Sequence, residues 1–91
     1  MTGWVIGVLV ELEDEPDPRL HYFAVGHEDR AKAEWTAVDA ASGLGGIASS
    51  PFRGQEPVQM LGQLTPGRMR VLGLKPNEIR AFGPKLPRRW L

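Results

Sequence analysis

The sequence predicts a small single-domain α+β fold in the order β-β-α-β-α-β, with a mixed, mostly antiparallel sheet carrying two helices on one face. Three observations predict it. Residues 4–12, WVIGVLVEL, are dense in β-branched and aromatic side chains, the composition of a strand. Residues 27–41, HEDRAKAEWTAVDAA, place Ala31, Trp35 and Val38 at the i, i+4, i+7 spacing of a helix with one buried face. Residues 64–74, LTPGRMRVLGL, carry start and stop signals for a second, shorter helix.

Taken in order, the first strand alternates Trp4, Ile6, Val8, Val10 and Leu12 against Val5, Gly7, Leu9 and Glu11. It is apolar on both sides for most of its length, which marks a central strand. Residues 13–18, EDEPDP, form a polar turn, because two prolines forbid ladder pairing and four acids hold the backbone in water. The second strand, residues 20–25, sets Leu20, Tyr22 and Ala24 against His21, Phe23 and Val25. A connection this short cannot make a parallel crossover, so the pair is expected to be a hairpin.

Gly26 ends the second strand, and the first helix is expected to follow with Ala31, Trp35 and Val38 on the sheet. Glu28 and Asp29 are placed in its first turn, with Asp29 or His27 capping the free N–H groups. Residues 42–56, SGLGGIASSPFRGQE, have no sustained period and read as a long loop, of the kind that in compact domains is often functional or mobile. Residues 57–64, PVQMLGQL, alternate again, and their glutamines mark a half-buried strand near a sheet edge. In the second helix Thr65 caps, Pro66 takes the first position, Leu64 and Met69 staple, and Gly73 supplies a left-handed stop. Residues 79–82 form a short last strand. The compact domain is thus read as residues 1–83, with 84–91 as an irregular basic tail containing two prolines.

With 91 residues the chain buries about 60 to 65% of the surface its unfolded form exposes, so its core is modest. The absence of cysteine excludes disulfides, thiolate metal sites and cysteine nucleophiles, and suits a reducing cytoplasm. The N-terminal stretch has no basic leader region, and its apolar run falls short of the ~20 residues of a membrane helix. Neither a signal peptide, a membrane span nor a lipidation motif is expected.

Zero formal net charge hides a division. Residues 1–56 hold Arg19, Arg30, Lys32 and Arg53 against ten acids, a balance of −6, while residues 57–91 hold seven basic residues and Glu78, a balance of +6. If the fold interleaves these charges they cancel locally; if it does not, the surface is bipolar.

The motifs that could carry chemistry fail on context. His21 and His27 lie about 20 Å apart along an extended strand and have no Cys or third His to complete a metal site. An acid–base role for His27 beside Asp29 would have no further group converging on it. EDEPDP lacks the alternate acids and the sixth-position Gly of a calcium loop. GLGGIA, residues 43–48, satisfies G-x-G-x-x-A but follows a helix rather than a strand, so its glycines are assigned to the helix stop and the loop. Ser49 and Ser50 lack the G-x-S-x-G nucleophile elbow. No catalytic residue, cofactor or metal is therefore expected.

The feature left over is the basic C-terminal part. Arg68, Arg70, Arg80, Lys85, Arg88, Arg89 and Trp90 combine residue types that are enriched in protein interfaces and that also suit phosphate contact with base stacking. The leading expectation is a non-enzymatic module that self-associates or binds another protein. The alternatives are weak nucleic-acid binding through the basic residues, which the neutral balance disfavours, and a ligand-binding or catalytic role for the 42–56 loop. Alternatively Trp90 simply packs back on the body.

Overall fold

A strand that is apolar on both faces must be covered on both, and this requirement organises the molecule. A computed structural model describes residues 2–91. β1 (Gly3–Glu11) lies at the centre. β2 (Arg19–Val25) pairs with it antiparallel from Trp4↔Val25 to Val10↔Arg19, closing the hairpin that the short polar turn demands. The other edge of β1 is shared by β4 (Val58–Leu64) and, collinear with it, the two-residue β3 (Gly46–Ile47). β5 (Ile79–Gly83) pairs with the outer side of β2. All of these pairings are antiparallel, and β4 and β5 form the two edges of the sheet.

The α+β class and the order of elements follow the sequence, with β3 added inside the long loop. The placement of both helices on one face is corrected. α1 (Arg30–Ser42) covers one face, packing Ala33, Ala37 and Ala41 on Ile6, Val8, Val10, Phe23 and Val25. α2 (Pro66–Leu72) covers the other, where Met69, Leu72 and Leu74 meet Val5, Ala24 and Leu64. The physical reason is β1 itself: Val5 and Leu9 are as fully buried as Ile6 and Val8, and a single layer of helices would leave one of these rows in water.

The buried face of α1 is also different from the expected one. The helix docks on an alanine stripe at i, i+4, i+8, and Trp35 stands outside it, 69% exposed. At about 100° per residue Trp35 lies about 200° around the helix from Ala33, so both cannot face the sheet. Alanine wins because a side chain of one carbon lets the helix backbone approach branched and aromatic sheet residues closely. Of the two expected caps Asp29 is the one the structure uses, its carboxylate accepting from the Ala31 and Lys32 N–H groups; Glu28, expected in the first turn, lies outside the helix. Gly43 is the C-cap, in a right-handed conformation.

α2 follows its sequence signals closely. The Thr65 hydroxyl accepts from the Arg68 N–H, Pro66 opens the helix, and Gly73 ends it at φ 75°. Gly26 is required for a different reason. Its N–H donates to the Glu78 carbonyl and its own carbonyl accepts from the Asn77 N–H, so the 75–78 turn lies against its backbone and a Cβ would strike the Lys75 carbonyl.

The 42–56 loop and the tail both return to the sheet. After β3, the Ala48 N–H donates to the Leu9 carbonyl, and residues 52–55 form a tight turn closed by reciprocal Phe52 and Gln55 backbone bonds, with positive φ at Arg53 and Gly54. Residues 84–91 end in a single 3-10 turn, Arg88–Trp90, and the half-buried Trp90 ring packs on the α2-side cluster with Leu61 and Phe82.

Candidate interaction surface

The seven residues singled out in the sequence come together on the α2 side of the sheet, but several are occupied there. Arg68 Nη1 donates to the Trp90 carbonyl at 3.1 Å, which ties α2 to the tail. Arg80, projecting from β5, donates from Nη1 to the Leu72 carbonyl at the C-terminus of α2, where a cation meets the negative end of the helix. The Arg89 guanidinium lies 5.1 Å from the centre of the Trp90 ring. With Leu61, Phe82 and Arg89 against it, the ring is half-buried and its packing partners are intramolecular. Arg70, Lys85 and Arg88 are exposed.

Charge is separated in space as well as along the chain. The turn between β1 and β2 carries Glu13, Asp14, Glu15 and Asp17, with Glu11 just before it. Two arginines answer part of this charge: Arg19 Nε lies 2.6 Å from Glu15 and Arg53 Nη2 3.6 Å from Asp17. At the opposite end of the sheet β1 begins and β2 ends; there α2 places Arg68 and Arg70, and β5 places Arg80 beside Ala24. The molecule is therefore acidic at its hairpin tip and basic around α2.

The histidines are separate. His27 Nδ1 accepts from the Asp29 N–H at 3.0 Å, and its carbonyl accepts from Trp4 Nε1 at 2.9 Å, so it shapes the entry to α1. His21 lies opposite Val8 in the ladder, 8% exposed, and its Nε2 has no hydrogen-bond partner among the described residues. Among the described residues no group of three His, Asp or Glu side chains is placed to hold a metal ion. The 42–56 loop does border an open cleft, lined by Arg19, Leu20 and Tyr22 on one side and Phe52, Arg53 and Gln55 on the other. Its two arginines are those already paired with Glu15 and Asp17.

A second surface was missed in the sequence. Trp35, turned away from the alanine stripe, sits beside Val38 and the half-buried Val58 at the start of β4. These residues and Met60 form an apolar strip along the α1 side of a sheet edge whose strand, VQMLGQL, contains no charged residue. The signal in the sequence was the Ala33, Ala37, Ala41 repeat, which competes with Ala31, Trp35, Val38 for the sheet and displaces Trp35 to the edge.

No protein-family model, no curated protein and no solved structure matches this chain. No helix among the described residues is long and apolar enough to cross a membrane.

Proposed function

We propose that the protein is a non-enzymatic interaction module of the cytoplasm that self-associates. The observation that supports this reading best is the uncovered apolar strip at the β4 edge, where Trp35 is 69% exposed next to Val38 and Val58. A large aromatic at the rim of an uncharged edge strand is the residue type that anchors protein interfaces, and such edges are ordinarily guarded by charge or proline. The bipolar surface adds a long-range attraction between copies. A chain without cysteine suits the reducing compartment.

Light scattering over a range of protein concentrations tests the reading. The wild-type chain is expected at a multiple of its 10.0 kDa mass, and Trp35→Lys is expected to be monomeric. Because Trp35 is 69% exposed and contributes little to the monomer core, that variant should still unfold cooperatively in urea, with a midpoint independent of protein concentration, whereas the wild-type midpoint should rise with concentration. A wild-type monomer at every concentration overturns the reading.

A second reading rests on the six basic residues among the seven singled out, Arg68, Arg70, Arg80, Lys85, Arg88 and Arg89, in a part of the chain, residues 57–91, whose one acid is Glu78. Weak nucleic-acid binding there would use phosphate contacts rather than Trp90 stacking, since that ring is engaged by Leu61 and Phe82. Affinity for a labelled single strand should then collapse between ~50 and ~200 mM salt. No anisotropy change at the lower salt overturns it.

A further inference from the structure

We infer that two copies join through β4 itself, antiparallel about a two-fold axis at Gln59, to make one continuous sheet; this rests on the self-association proposed above and specifies its geometry. The backbone of β4 fixes which groups are free. The Leu9 N–H donates to the Pro57 carbonyl at 2.8 Å, so Leu9 and Pro57 form a hydrogen-bonded pair of the antiparallel ladder. Such pairs alternate, and in the observed register the next one is Gly7↔Gln59. Val58 and Met60 therefore turn their N–H and C=O groups away from β1, and no other backbone among the described residues takes them up.

A second copy satisfies these groups in one arrangement of high symmetry. If Val58 of each chain stands opposite Met60 of the other, about four backbone hydrogen bonds form and Gln59 faces Gln59 in the close, non-bonded position. Both α1 helices then lie on the same side of the joined sheet. There the paired Val58 and Met60 side chains are flanked by Trp35 from each copy, so the apolar strip of one chain covers that of the other.

Charge complementarity selects this occupant over an unrelated strand. An antiparallel join sets the acidic hairpin tip of one copy, Glu11 to Asp17, toward the end where the other carries Arg68 and Arg70. The same contact recurs on the other side of the axis, as a two-fold requires. The opposite edge of the sheet is protected: β5 carries Arg80, and Gly83 turns out of the strand at φ 73° into Pro84.

Because the chain has no cysteine, single-cysteine variants report the interface without background. Gln59→Cys and Gln63→Cys are each oxidised with copper phenanthroline and run on a non-reducing gel, beside light scattering of the wild-type chain. Across the proposed axis the two thiols introduced at position 59 meet within disulfide reach, whereas the two introduced at position 63 are held about 26 Å apart by eight residues of extended strand. The expected result is a dimeric wild-type protein, a covalent Gln59→Cys dimer and a Gln63→Cys variant that stays uncoupled. A dimeric wild type in which folded Gln59→Cys does not couple, or Gln63→Cys couples as readily, overturns the β4 join and leaves self-association standing. A monomeric wild type overturns both.

Discussion

The two faces of the sheet are covered by different means. On one, a single 13-residue helix lays three alanines on branched and aromatic strand residues. On the other, a two-turn helix, a 3-10 turn and Leu74 beyond the helix end together supply larger side chains: Met69, Leu72, Leu74 and Trp90. The first face is a close contact in which the small residue is the adapted one. The second is assembled from pieces, each needing its own local signal to be placed. Small residues where a helix meets a sheet are thus part of the core as much as large ones, although hydrophobicity counts rank them low.

The comparison can be broken at four points, in decreasing order of effect. Leu64 is fully buried at the centre of the α2-side cluster and holds the staple end of that helix. Leu64→Ala should cost ~2 to 5 kcal/mol through lost burial and a cavity, seen as a large drop in the urea midpoint. On the α1 face the damage runs the other way. Ala37 has no exposed surface, and Ala37→Leu should cost ~1 to 3 kcal/mol by forcing the helix off the sheet. If Ala37→Leu is neutral in the same unfolding assay, the alanine stripe is not a close contact and the distinction between the faces fails.

The third test concerns how the pieces of the α2 side are placed. The Thr65 hydroxyl caps the Arg68 N–H at 3.2 Å, and Thr65→Ala should lower stability by ~1 kcal/mol, with Thr65→Ser restoring most of it. The smallest effect is expected at His21, a polar side chain buried on the α1 side. Its Nε2 is unpartnered among the described residues, so His21→Leu removes a desolvated polar atom and should be neutral or stabilising by up to ~1 kcal/mol. A net loss of stability would show that the imidazole holds something the apolar side chain cannot.

Much of the fold was legible because its signals are local. The β1–β2 hairpin follows from alternation and a proline-containing turn, and α2 from Thr65, Pro66 and Gly73. The helix faces were less legible. Apolar spacing in α1 admits two stripes: the sequence reading takes Ala31, Trp35 and Val38, and the structure buries Ala33, Ala37 and Ala41. That choice also hid the strip at the β4 edge. The basic residues were legible as a group, but not that Arg68 and Arg80 commit hydrogen bonds to the carbonyls of Trp90 and Leu72.

The sequence by itself determined the class, the order of elements, the caps and the separation of charge along the chain, since these depend on neighbours a few residues away. Tertiary structure decided which side of the sheet each helix takes, which stripe of α1 is buried and how the strands are ordered about β1. Those choices depend on how closely two surfaces approach, and approach is set by side chains on different elements at once: β1 needs cover on both faces, and only the alanine stripe lets α1 come near enough to give it.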